Sequence, residues 1–585
     1  MTSLVPLLAV GFSILAAIFL DWHLGRQQKQ LPRIILYLTF VLPFAAGGFH
    51  TYTAMITTVL LTGNLAFIAK NNRKFCFVWN MNTLAVFLVA LGYCVTPLWA
   101  ADRGMAAFGV VRYIPLVLYI LTLMQYSNEE KARFLELIPL SGALMTLVSC
   151  LLLPLPGMDT YLTVNGRLSA FFQYPNTYAA FLLAGIILLN TKEHFNKLDL
   201  PINALLIVGV VLSGSRTGFL LLIPALIGII LIRRKWKLLI SMGVTLGIGL
   251  ILALIATNLN LLRNADRFAS IGQNTGSFLV RLLYYKDALP VILRNPFGIG
   301  YLGYRATECT FQTGRYTVSF IHNGLLQMLL DIGWVPSLLM ATAFLKGMVS
   351  KETQPAKKLL LFIILAHCML DFDLQFFVFW VILLSVLDFE AGNTYVFRKK
   401  KRPGVVIGAI IVALCVWLGM GDLMCSLGFT DLGISLTPFH TDALSAKLRI
   451  SDNPEELDIL ADRILGLCPT SSLAYSAKAN AALARGQVLE MIENKEHAIQ
   501  CARYSTEEYC DYFEKLYAVM SMYLQAGDSG SASYCANKLL EIPEKMAEVS
   551  SQTDPLAYLT GDDTELALPE QYAAILDILK QEVQQ

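Results

Sequence analysis

The run T-G-F-L-L-L-I-P-A-L-I-G-I-I-L-I, Thr217 to Ile232, is preceded by Ser213-Gly214-Ser215-Arg216 and followed at once by Arg233, Arg234, Lys235 and Lys237. An uncharged apolar run of this kind is near the length a helix needs to cross a bilayer. The basic cluster marks the end that stays in the cytoplasm, where Lys and Arg are retained, and leaves the Gly/Ser turn on the other side. The same pattern recurs along the chain, with apolar runs at 4–20, 34–48, 53–69, 80–99, 105–124, 134–154, 170–190, 201–214, 237–257, 322–345, 358–371, 374–390 and 404–424. A chain of 585 residues with 56% hydrophobic and 15% charged residues is too apolar for a water-soluble globule. The expected fold is an all-α polytopic membrane protein with about 14 transmembrane helices.

The connectors test the orientation. Arg26, Lys29 and Arg33, then Lys70, Arg73 and Lys74, then Lys131 and Arg133, then Lys192 and Lys197, then the cluster after Ile232 and the run Arg398 to Arg402 fall in alternate loops. The positive-inside rule places all of them in the cytoplasm and both termini outside. The first run, Leu4 to Leu20, lacks a basic leader and a cleavage site, so it reads as a retained span. Two regions then lie outside: a long loop, 258–321, within a membrane domain of residues 1–424, and an extracytoplasmic tail, 425–585. The long loop carries Arg263, Arg267, Arg281, Arg294, Arg305 and Arg315 but a single lysine, Lys286. Arginine in that excess suits fork-shaped recognition of phosphate or carboxylate, although an ordinary solvated loop also carries charge.

The tail changes character. Helical periodicity runs over Asn453–Leu467, Ser471–Arg485, Val488–Tyr504, Thr506–Ala526 and Ser529–Lys545, and Pro454 after Asp452 fits a capped first turn. The pattern is similar to tetratricopeptide-type helix pairs, which hold a protein partner or serve as a plain structural appendage. Eleven scattered cysteines show no Cys-x-x-Cys and no Cys/His cluster at zinc spacing, so neither a metal nor a redox cofactor is expected. The net charge of +2 carries little signal, and no nucleic-acid partner is expected.

Five stretches carry candidate chemistry. Gly298-Ile299-Gly300-Tyr301-Leu302-Gly303 matches a dinucleotide fingerprint letter for letter, but it follows Asn295-Pro296-Phe297 in a loop and not a strand of a βαβ unit. It reads as a turn after an amphipathic helix, Ser277 to Leu293, whose Leu282, Tyr285, Leu289 and Ile292 would let it lie along the membrane surface. Arg216 sits in a Gly/Ser turn at a membrane boundary, where it either binds a ligand or snorkels to headgroups. Arg167 precedes Gln173-Tyr174-Pro175-Asn176-Thr177, where Asn176 is either a cap or a substrate contact. Arg112 lies inside the fifth run, an expensive position that marks function or a pairing with Asp371 or Asp373. Finally, His322-Asn323 opens the span that closes the long loop, and a histidine there is either a structural hydrogen bonder or a base.

Taken in order, Arg167 with Pro175-Asn176, Ser215-Arg216-Thr217-Gly218, Arg281 with the following Asn295-Pro296-Phe297-Gly298, and His322-Asn323 with Gly333 resemble the bacterial O-antigen ligase and O-antigen polymerase family over about residues 80 to 390. The extra span ending near Met424 and the repeat-like tail depart from the simplest ligase pattern. The resemblance implies a metal-independent glycosyltransferase of the cytoplasmic membrane, acting at its outer face in cell-surface polysaccharide biosynthesis. Its donor would be a glycan on undecaprenyl diphosphate and its acceptor a glycan, lipid or protein. It implies Arg216 and Arg281 at the diphosphate, His322 as base toward the acceptor hydroxyl, and Arg167, Asn176, Asn323, Arg112 and Arg305 as substrate contacts. A flippase or exporter of lipid-linked oligosaccharide is the rival, since it too would have many spans and cationic pockets, but no repeat relates the two halves of the chain.

Overall fold

The structure is a computed structural model, and it describes residues 11, 13–22, 32–72, 74–127, 130–131, 133–194, 196–234, 237–258, 262, 276–398, 402–560 and 566–583. Outside these residues lie positions 4–10 and 12 of the first predicted span, Arg26, Lys29, Arg73, Lys235, Lys399 to Lys401, and Arg263 and Arg267 of the long loop. The chain divides into two compact units, one made of residues 1–95, 108–274 and 322–423, the other of 96–107, 275–321 and 424–585.

The first unit is built of apolar helices. Its hub is Pro175–Thr191, in which every residue except Leu188 and Thr191 is buried. It packs on Ile138–Leu152, Asp199–Leu212, Arg216–Arg233 and Pro355–Cys368. Small residues permit that crowding: a Cβ on Gly209 would lie 2.5 Å from Leu182 and 2.6 Å from Thr146. Close approach at glycine is how helices associate where water supplies no hydrophobic drive between them.

Among the described residues, five helices are long and apolar enough to cross a membrane: Thr51–Asn71, Met81–Leu98, Arg103–Leu123, Arg216–Arg233 and Gly404–Ser426. Several other predicted spans fold as shorter helices, and the reason is local. The run 322–345 breaks at Gly333, whose φ of 81° separates Gly324–Ile332 from Trp334–Val349. The runs 358–371 and 374–390 become Pro355–Cys368 and the ten-residue Phe377–Val386, joined by an irregular segment that includes Asp371 and Asp373, both fully buried. Non-helical backbone is tolerated at such a place when protein surrounds it.

The basic loops are tied to one another. Lys74–Trp79 pairs antiparallel with Asn393–Arg398, with Lys74 opposite Arg398. Lys131 reaches Glu390 at 2.8 Å, and Gln125 exchanges two hydrogen bonds with the backbone of Cys76. Arg233 donates to the carbonyl of Glu193 at 3.0 Å. The helix Phe377–Val386 separates the first group from Asp373, and the helix Pro175–Thr191, about 25 Å long at 1.5 Å per residue, separates the second from Asn176.

The second unit is helical and polar. Its tail folds as successive helical hairpins, Pro454–Leu467, Ser472–Ala484, Val488–Cys501, Thr506–Gln525 and Ser529–Ser551. The side chains of Asn453, Ser471, Ser505 and Asp528 accept first-turn amides, so Asn453, not Asp452, caps the first of these helices. The last one runs six residues past the predicted stop at Lys545, carrying Pro543 within it. Buried aromatic and aliphatic side chains, including Tyr509, Tyr512, Phe513, Leu516 and Leu539, form the tail's core.

Candidate active site

The residues that matter meet where three helix starts and one irregular segment converge in the first unit. His322 adopts the left-handed conformation, φ 54°, immediately before the extended Asn323. A non-glycine residue there is strained, and such strain persists where the surroundings enforce it. Asn323 supplies the enforcement. Its Oδ1 accepts from the amides of Leu325 and Leu326 at 3.1 and 3.0 Å, and its Nδ2 donates to the carbonyl of Met369 at 2.9 Å. The asparagine therefore caps its helix and ties it to the irregular segment.

His322 Nδ1 lies 3.1 Å from Asp371 Oδ1. The histidine side chain is 19% exposed and the aspartate fully buried. Asp371 also accepts from the Tyr174 hydroxyl at 2.9 Å, from the Phe372 amide at 3.0 Å and from Asn176 Nδ2 at 2.7 Å. A buried carboxylate is accommodated when donors surround it in this way. Asn176 in turn accepts from Arg167, and Arg167 Nε donates to the carbonyl of Ser213 at 3.0 Å. One continuous network thus runs from the turn before Arg216 through Arg167, Asn176 and Asp371 to His322. Phe372 packs edge-on to His322 and against Tyr174, holding both rings.

A second buried pair lies on the same segment. His367 Nδ1 is 2.6 Å from Asp373 Oδ2, and Thr177 donates to Asp373 Oδ1 at 2.8 Å. Asn176 and Thr177 are consecutive, so the first turn of the hub helix holds both aspartates.

Among the predicted residues, the structure brings His322, Asn323, Asn176 and Arg167 together. Asn176 is not a cap: Tyr174 is the N-cap residue and the asparagine amide belongs to the aspartate network. Arg216 opens its helix after the Ser215 cap, three residues beyond the Ser213 carbonyl that Arg167 holds. Arg112 donates to the carbonyls of Phe49 and Gln375 and lies over the Phe49 ring, whereas Asp371 and Asp373 are ringed by other donors. Arg281 stands on the helix Gly276–Arg294 of the second unit. Arg305, in the same unit, makes a two-pronged bond to Asp442 at 2.6 and 3.1 Å. The Gly276–Arg294 helix exposes Leu282 and Leu289 as expected but buries Ile292, and its exposed apolar stripe continues through Phe278 and Leu293.

Sequence reading missed Asp371, Asp373, His367, Tyr174 and Thr177 as parts of the site. The signal was there: three ionisable residues at 367, 371 and 373 interrupt an otherwise apolar stretch, and such residues mark function by default.

Apolar helices carrying a buried His–Asp and Arg–Asn network at their ends define a multi-pass membrane protein with an enzyme-like polar centre. Residues 201–341 match the model of the O-antigen ligase family, and over that segment the chain is similar to O-antigen ligases. The matched segment includes Arg216, Arg281, Arg305, His322 and Asn323 and ends before Asp371. No curated protein and no solved structure matches the chain.

Proposed function

We propose that the protein is a glycosyltransferase that moves or polymerises glycan from an undecaprenyl-diphosphate-linked donor at the outer face of a bacterial cytoplasmic membrane. The match of residues 201–341 to the O-antigen ligase family supports a membrane glycan ligase or polymerase. The observation that carries the chemistry is the His322–Asp371 contact.

With the proton on Nδ1 directed at Asp371, Nε2 of His322 is the basic nitrogen. The acceptor hydroxyl gives its proton to Nε2 as its oxygen bonds to the anomeric carbon. The bond from that carbon to the phosphate oxygen breaks, and its electron pair leaves on the lipid diphosphate. Asp371 then stabilises the imidazolium and fixes the tautomer. The leaving diphosphate needs positive forks. Arg216 is assigned to it by the resemblance and by its helix-start position, and Arg281 by the resemblance alone. Arg167, Asn176 and Asn323 position the base and the turn before Arg216. Arg112 holds backbone carbonyls, and Arg305 takes a role in its own unit described below. No metal is needed in this scheme, because arginines neutralise the leaving group.

The test is transfer from purified lipid-linked donor to acceptor in liposomes, with EDTA, comparing wild type and His322→Ala at matched folded protein. Loss of a positioned base lowers the rate on the order of 10²- to 10⁴-fold. Near-normal turnover by the variant would remove the base role. Movement of donor across the liposome membrane without any new glycosidic bond would replace the enzyme with an exporter.

A further inference from the structure

Within the second unit, the tail grips the loop at two places. At the first, Asp554 donates its backbone amide to the Thr313 carbonyl at 2.8 Å, while its carboxylate accepts from Lys286 and from the Leu556 amide. Thr313 is itself bound to the loop helix, its amide and hydroxyl donating to Asp287 at 2.8 and 2.6 Å, and Tyr316 donates to the same carboxylate at 2.9 Å. The backbones close tightly here: a Cβ on Gly314 would lie 2.7 Å from Ala557 Cβ and 2.9 Å from Leu283. At the second place Arg305 forks onto Asp442, the Thr470 hydroxyl donates to the Ala306 carbonyl at 2.6 Å, and Arg103 donates to the Gly466 carbonyl.

Both helices of the loop, Gly276–Arg294 and Gly303–Phe311, are thus held by residues of the tail. The first of them carries Arg281. It buries Leu283, Tyr284, Asp287, Ala288 and Ile292 as one face, while Arg281 is half-buried off that face. Lys286 and Asp287, which make the ties, lie roughly 140° and 120° around the helix from Arg281 at 100° per residue.

We infer that the C-terminal domain is a clamp that sets the position of the Arg281 helix, with Asp554, Gly314 and Ala557 as positioning residues for binding of a lipid diphosphate. The inference rests on the reading of Arg281 as a diphosphate ligand. The tail is then part of the binding machinery. The exposed Lys286–Asp554 pair contributes little by itself. The backbone bond at Thr313 and the contact across Gly314 are the parts that cannot be replaced by solvent.

The experiment uses the full chain in lipid nanodiscs and a size exchange at the tight contact. Gly314→Ala should push Ala557 away, and Ala557→Gly in the same chain should let it return. Two readouts are taken on each: hydrogen exchange of residues 276–294 and 303–316, and the donor KM against kcat. The clamp predicts faster exchange and a donor KM raised roughly 5- to 10-fold in Gly314→Ala, with kcat within about 2-fold, and recovery of both in the double variant. Asp554→Asn, a milder change, should move both readouts in the same direction by less. Unchanged exchange in Gly314→Ala overturns the clamp. Faster exchange with an unchanged donor KM overturns its link to donor binding. If wild type transfers no glycan, the exchange arm still decides whether the clamp exists, and the functional reading fails separately.

Discussion

The two units of the chain treat polar groups in opposite ways. In the first, helices such as Phe377–Val386 and Pro175–Thr191 bury nearly every side chain, and its buried charged residues include Asp371, Asp373, Asp331 and Arg112. In the second, many ion pairs lie at the surface of the tail helices, as in Lys478–Asp462 and Lys447–Asp431, while Lys495, Glu308 and Asp287 are buried exceptions. Exposed pairs of the second kind contribute about 0–1 kcal/mol each. Buried pairs of the first kind are costly to form and costlier to break, because removing one partner leaves an uncompensated charge. A buried polar cluster in an apolar bundle therefore calls for a functional account, and a surface pair in the tail does not.

The contrast breaks if the buried network proves dispensable. The largest effect is expected at Asp371. Asp371→Ala removes the partner of His322 and the carboxylate that Tyr174 and Asn176 donate to, so transfer should fall on the order of 10³-fold at matched folded protein. Asp371→Asn, close in shape, should retain the fold while still losing most activity, because the amide can present its NH₂ to His322 and favour the wrong tautomer. Full activity in Asp371→Asn would show that the carboxylate is structural only.

Next comes the second pair. His367 and Asp373 are both fully buried, so Asp373→Ala should cost about 3–5 kcal/mol of stability, read as loss of folded protein on heating in detergent. At temperatures where the variant stays folded its turnover should remain well above that of Asp371→Ala. Equal losses of turnover would merge the two pairs into one catalytic unit. Arg167→Lys follows: a lysine keeps the charge but cannot hold Ser213 and Asn176 at once, and a fall of roughly 10-fold in transfer is expected.

Much of the first unit was legible in its sequence, because apolar runs and the alternation of basic loops are strong signals. His322 and Arg167 stood out in the sequence because each stands at the mouth of such a run, and the structure joins them in one hydrogen-bond network. Among the described residues five helices reach spanning length, and Gly333 and the irregular segment with Asp371 and Asp373 break runs that hydropathy alone reads as continuous. Asp371 itself could be seen but not placed. Its partners lie 49 and 195 residues away, and hydropathy carries no information about which loop meets which. Arg305 could likewise be seen but not placed: its guanidinium forks onto Asp442, 137 residues away, a partner that hydropathy does not reveal.

The smallest expected effect lies in the second unit and sharpens the contrast from the other side. Glu308, on the helix that carries Arg305, is almost wholly buried and accepts from the Val318 amide at 3.0 and 3.1 Å. Burial raises its pKa from 4.5 to about 8, against the opposing pull of that amide and of Arg305. The folded state therefore holds a proton that the unfolded chain releases near pH 4.5. Between pH 4.5 and 8 the folded state binds more protons, so stability from this group is fully present below pH 4.5 and declines as pH rises through about 8. Hydrogen exchange of residues 303–318 should accordingly quicken between pH 6 and 8 by more than intrinsic exchange chemistry explains. Glu308→Gln, neutral at every pH, should abolish that excess while leaving transfer at pH 6 near wild type. An excess that persists in Glu308→Gln would remove Glu308 as the source of the pH response.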